Sequence, residues 1–247
     1  DLLIEMYTSG DEGTPTIPDT GNYETKTPGS KALTYAFPSM AYGICYDWAR
    51  SGWSQAQADT VMEKMQRGLD DWEALFRWEL YDMPVSNWVS VCRSAEMIMM
   101  LGAGEEQNRP QRYDTLKYLL NLHYDLAYGE SAYSNEGIGY IHYGVPFAYA
   151  ANYAALSVED SGLVSCFEGK SFDKLLMYTC AYTEDKKHLM TSVDSHYSFG
   201  EGLFGLVMGN LDSTSLKYYK NFYDHHLGIS SNVNDNEKYD QQRLGAS

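Results

Sequence analysis

The chain has 247 residues, 44% of them hydrophobic, enough for one large domain or two small ones with a substantial core. Its 34 acidic and 18 basic residues leave a formal net charge of −16, which opposes nonspecific attraction to nucleic acid or to an anionic membrane. No apolar run approaches the length of a transmembrane helix, and residues 1–6 lack the basic and apolar regions of a signal peptide, so such a segment was either never carried or has been removed.

Four cysteines (Cys45, Cys92, Cys166, Cys180) lie far apart in apolar contexts, with no C-x-x-C pair and no His at ligand spacing. Buried free thiols are expected of them. Twenty-two tyrosines and five tryptophans raise the aromatic content to 14%, which serves either to stack on sugar rings or to fill a large helical core.

In chain order, residues 8–30 are rich in Gly, Pro, Thr, Asp and Asn and predict a long irregular loop. Residues 33–48 predict a buried helix ended by Ser51 and Gly52. Ser54 is expected to cap a second helix over about 56–80, with Val61, Met65, Leu69, Trp72, Leu75 and Phe76 on its apolar face. Pro84 breaks the pattern, and Ser86 or Asn87 is expected to cap a third helix that Gly102 closes. A fourth covers about 110–128.

The fifth helix grows out of residues 134–147. There Glu136, Gly137, Gly139, Tyr140, His142, Tyr143 and Gly144 set a carboxylate, glycines, two phenols and an imidazole where a polar loop passes into an apolar helix. A helix starting near Gly137 puts positions 136, 140, 143 and 147 on one face, so that Glu136, Tyr140 and Tyr143 point the same way. A tyrosine-rich packing face accounts for the same residues. After a loop at 158–169, further helices are expected at 170–182, about 199–208 and about 213–226, followed by a polar tail.

The series predicts an all-α chain of about eight helices with no alternating strand. Apolar helices alternate with more polar ones, which suggests two concentric layers, as in an α/α barrel or toroid. The expected organisation is an irregular segment at 1–30, a helical domain at 31–228 and a tail at 229–247.

Four segments resemble, in order, motifs of the heparinase II/III-like polysaccharide lyases, whose relatives include alginate lyases and dermatan sulfate epimerase. They are Ala41 to Trp48, Ser86 to Cys92, Glu136 to Gly144, and Tyr197 to Glu201. The resemblance implies an (α/α) toroid, here incomplete. The β-sandwich that usually follows, with its structural metal, has no counterpart after Gly228, and no cofactor is expected in this chain. It also implies β-elimination on an anionic, uronic-acid-containing polysaccharide or oligosaccharide, in a secreted, periplasmic or cell-surface protein.

Removing the C5 proton of a uronate is difficult because the adjoining carboxylate resists further negative charge, so an amide or imidazole held against that carboxylate lowers the barrier. By the resemblance, Asn87 is the neutralising residue and Tyr143 or, in reserve, Tyr140 exchanges protons as acid or base, with His142 or His196 as a source of imidazole. Trp88, Arg93, Glu136, His196 and Tyr197 are expected to line the substrate. Trp88 stands where some members carry a catalytic His, so the duties are divided differently here. The same residues leave two other functions open. One is a glycoside hydrolase using a carboxylate pair drawn from Glu136, Glu201 and Asp194; the other is a glycan-binding or scaffolding protein without catalysis.

Overall fold

The computed structural model describes residues 28–75, 84–128, 134, 136–163 and 211–226, leaving out the side chains of several helical residues, His142 among them. The described residues form α1 (Pro28–Ala49), a 3-10 turn (Arg50–Gly52), α2 (Gln55–Leu75), α3 (Asn87–Ala103), α4 (Pro110–Ala127), α5 (Ile138–Ser157) and α6 (Ser213–His226). They contain no strand, so this part of the chain is all-α. The irregular segment at 1–27, the end of the second helix beyond residue 75, the helices expected at 170–182 and 199–208, and the tail lie outside the described residues. Helix α1 starts at residue 28, three residues before the expected domain boundary.

The helix ends follow from local chemistry. Ser54 and Gln57 form a reciprocal capping pair at the start of α2: the Gln57 N–H donates to Ser54 Oγ and the Ser54 N–H to Gln57 Oε1. Ser86 caps α3, its Oγ accepting from the Trp88 N–H at 3.3 Å, and Asn87 is therefore the first helical residue rather than the cap. Pro110 opens α4, where its missing N–H costs nothing.

The end of α3 differs from expectation. Gly104, at φ 69°, is the residue that stops the helix, its N–H bonding back to Leu101 and Met100. Gly102 instead marks a close crossing: a Cβ there would collide with the Gly43 backbone, and a Cβ on Gly43 would lie 2.5 Å from the Ile98 carbonyl oxygen. These two glycines let α1 and α3 touch backbone to backbone.

Helix α3 is the axis of the fold, with 14 of its 17 residues buried, so neighbours must cover it on every side. Helices α1 and α5 flank it and run in the same direction. Gly43 of α1 meets Ile98 and Met99, while Gly144 of α5 faces Asn87 and Ser90. Helices α2 and α4 pack antiparallel to this layer. Tyr35 sits edge-on to Trp72 at 5.1 Å, Gly68 faces Met99, Ser90 meets Tyr124 and Glu96 meets Arg112. The Trp72 indole N–H is satisfied by Ser39 Oγ, which itself donates to the Tyr35 carbonyl.

A buried ion-paired group locks the two layers together. Arg93 Nη1 donates to Glu96 Oε2 at 2.7 Å, and Arg112 grips both oxygens of the same carboxylate at 2.6 and 2.8 Å. Replacing one charge here strands the others away from water.

Helices α1 and α5 each carry an internal proline, Pro38 and Pro146, beside the phenylalanines where the two helices meet, Phe37 and Phe147, 5.4 Å apart. A proline removes one backbone hydrogen bond and crowds the carbonyl four residues back, which bends a helix. Past this meeting point residues of α1 and α5 line a cleft over the second half of α3. No helix among the described residues is long and apolar enough to cross a membrane. Cys45 is half-buried and Cys92 buried, both as free thiols, while Cys166 and Cys180 lie outside the described residues.

Candidate functional site

The site builds up where α3 and α5 begin. Gly137, at φ 90°, turns the chain sharply before Ile138 starts α5, a conformation open to glycine because it lacks a Cβ. Glu136 therefore stands outside the helix and does not continue the face of Tyr140 and Tyr143, contrary to the expectation from helical spacing. Its carboxylate turns instead to the start of α3, where Oε2 accepts from the Asn87 N–H at 2.6 Å and Oε1 from Asn87 Nδ2 at 3.0 Å. A carboxylate suits this place, because the first amides of a helix have no partners of their own and carry partial positive charge.

Asn87 is only 2% exposed, and its carbonyl oxygen Oδ1 is buried without a hydrogen-bond partner. An unsatisfied buried carbonyl is costly. The bond to Glu136 uses one amide proton and fixes the side chain, leaving a second proton and the carbonyl over.

Behind this pair lies a polar group the sequence did not bring forward. His123 Nδ1 donates to the Pro84 carbonyl at 2.8 Å, just before the α3 cap, and its Nε2 is buried without a partner. Burial drives its pKa down to about 4, the Pro84 contact opposing only in part, so the ring is neutral at physiological pH. Tyr124 stacks on Tyr128 at 5.1 Å, and both rings stand edge-on to His123. Tyr124 hydroxyl donates to Ser90 Oγ, which passes its own proton to the Gly144 carbonyl, a relay joining α4, α3 and α5 at 2.6 and 2.7 Å. Tyr128 is held protonated, first by burial and then by the nearby Glu136 charge. The signal in the sequence was the stripe Leu116, Leu119, Leu120, His123, Ala127, an imidazole on an otherwise apolar face.

Tyr140 and Tyr143, on the first turns of α5, are half-buried. The Tyr143 ring packs against Phe37 and Phe147, and its pKa is raised, mainly by burial and then by Cys92 and Tyr140. A phenol in that state holds its proton. Trp88 is half-buried against the core.

Of the residues expected to act together, Asn87 and Glu136 are in direct contact, and Trp88, Tyr140 and Tyr143 occupy the first turns of the two helices that carry them. Arg93 is not brought to them. At 0% exposure it is committed to Glu96, with its guanidinium 6.0 Å from the Trp72 ring centre, so the substrate-lining role expected of it does not fit. The His142 side chain, His196 and Tyr197 lie outside the described residues, as do Asp194 and Glu201, the carboxylates a hydrolase would pair with Glu136. Among the described residues no group of three His, Cys, Asp or Glu side chains is placed to hold a metal ion.

Comparisons of the chain with protein-family models, with curated proteins and with solved structures give no match.

Proposed function

We propose that the chain is the helical part of a heparinase II/III-like polysaccharide lyase, acting by β-elimination on a uronic-acid-containing glycan outside the cytoplasm. The observation that carries this is the Asn87–Glu136 pair, in which the carboxylate fixes the Asn87 amide at the start of α3 while the buried Oδ1 is left without a hydrogen-bond partner. Glu136 is the positioning residue that sets the amide. The alternation of α1, α3 and α5 with the antiparallel α2 and α4 agrees with an (α/α) toroid.

The net charge of −16 is offset in part at this end by helix dipoles. Helices α1, α3 and α5 all point their N-termini this way and none has an acidic residue in its first turn, while the Glu136 carboxylate already occupies the first amide of α3. Each helix contributes about half a positive charge. Tyr143, which burial keeps protonated, is assigned proton delivery to the leaving oxygen, with Tyr140 or His142 as the base that takes the C5 proton, although the same burial makes it a weak acid.

The test is the ultraviolet absorbance of 4,5-unsaturated uronate over alginate, heparan, chondroitin and hyaluronan. Wild-type protein is expected to generate it on one of these, and Asn87→Ala and Tyr143→Phe each to lose at least about 100-fold in rate. Absence of product from every polymer rejects the lyase. The close engagement of Asn87 by Glu136 favours, in that event, a second function: a glycan-binding protein in which the pair only fixes the start of α3.

A further inference from the structure

The cleft that opens between α1 and α5 lies at the far end of the same three helices. It has a volume of about 360 Å³. Ile44, Ile98, Leu101 and Ala154 supply an apolar interior, and the Gly43–Gly102 crossing forms its floor. At the mouth stand the Trp48 ring, 80% exposed, and the Tyr153 ring, 48% exposed, on opposite walls. An indole displayed to that extent is unusual where the same helix buries Tyr35 and Tyr46.

The charge around the cleft has one sign. Asp47, exposed beside Trp48, lines it and makes no ion pair with any described residue. The lining residues Asp47 and Trp48, Leu101 and Gly102, and Ser157 fall in the last turns of α1, α3 and α5. Three helix C-termini thus converge on it, each worth about half a negative charge, and none has a basic residue in its last turn to offset this. Arg50, the nearest basic residue along the chain, is exposed and is not among the lining residues.

We propose that this cleft binds an organic monocation with an apolar body, the body lying over Ile98 and Ala154 and the cationic head between Trp48, Tyr153 and Asp47. Aromatic faces attract a cation through the ring quadrupole, and a free carboxylate with three helix C-termini completes its field. A purely apolar ligand would leave Asp47 desolvated without a partner, an anion would meet four sources of negative potential, and a neutral sugar would find few polar side chains, Asp47 and Ser157 beside the tips of the two rings, in a mostly apolar hollow. The assignment is independent of any reaction at Asn87.

The probes are benzyltrimethylammonium, its uncharged isostere neopentylbenzene, and methyl glucoside, each titrated while the Trp48 indole N–H resonance is followed, that peak being assigned by its loss in Trp48→Phe. The cation is expected to shift the peak and to bind about tenfold tighter than the isostere, with Asp47→Asn removing that preference and added salt weakening it. An isostere that binds as well as the cation overturns the proposal in favour of a plain apolar hollow. A preference unchanged in Asp47→Asn assigns it to the overall charge of the protein and overturns it too, as does a glucoside that moves the peak where the cation does not, or a peak that no probe moves. Asp47 and Trp48 are exposed, so both variants keep the fold, which circular dichroism checks.

Discussion

Where α3 and α5 begin, polar groups are buried and tied to one another: Asn87 to Glu136, His123 to Pro84, and Tyr124 through Ser90 to Gly144. Where the same helices finish, the interior is apolar, the rings of Trp48 and Tyr153 stand in solvent, and Asp47 has no ion partner among the described residues. Parallel helices produce this contrast directly, because aligned macrodipoles give one end a positive and the other a negative potential. On the functions proposed above, the first end receives an anionic group beside the Glu136 carboxylate and the second a cation. The difference teaches that the net charge of −16 does not by itself set the local potential, which depends on helix direction together with Glu136 at one end and Asp47 at the other.

The comparison breaks most completely if the helices cannot be held together. Gly43→Ala or Gly102→Ala drives a methyl into the facing backbone, so α1 must retreat from α3. A loss of about 3 kcal/mol or more in urea unfolding is expected, with both ends damaged together. A variant as stable as wild type would mean the crossing is looser than this.

Acid separates the two ends. His123 is neutral in the folded protein, with its pKa lowered to about 4, whereas the unfolded ring takes up a proton near 6.5. Because the unfolded state binds more protons in this window, the stability this group contributes is complete above about pH 6.5 and lost progressively as pH falls toward 4, by up to about 3 kcal/mol. Urea titrations across that window should show the slope, and His123→Asn should flatten it. An unaltered slope in the variant would assign the acid sensitivity to other groups.

Smaller still is the effect of Glu136→Ala, which strips two acceptor bonds from Asn87 without leaving a cavity in the core. About 2 kcal/mol of destabilisation is expected, and Glu136→Gln, which keeps an acceptor oxygen, should recover part of it. If the alanine variant were neutral in thermal melts, the carboxylate would not be fastening the α3 terminus.

The helices themselves were legible where an end has a chemical signature. Ser54, Pro110, and the break at Pro84 each announce a boundary that the structure keeps. Gly102 and Gly104 show where such signatures fail. Both glycines sit at the end of one helix, and only the partner helix reveals that the first is a contact and the second a cap. Glu136 was misassigned to a helical face because spacing arguments assume a continuous helix, and Gly137 at positive φ interrupts it.

The site was legible in its residue types and not in its bonds. Asn87 and Glu136 stood out separately, but their hydrogen bond spans 49 positions and depends on how α3 and α5 pack. His123 passed unnoticed since a lone imidazole in a leucine stripe has no local mark of function. The cleft had no sequence signature, because its lining is drawn from three helices far apart in the chain.

The most direct measurement is a titration of the Tyr143→Phe variant with an intact uronate oligosaccharide, following the Asn87 side-chain amide and the indole resonances of Trp88 and Trp48. The Asn87 amide and the Trp88 peak are expected to move while Trp48 stays in place. Movement of Trp48 with Asn87 unchanged, or an oligosaccharide that disturbs none of the three, would contradict an anion-receiving site at the start of α3.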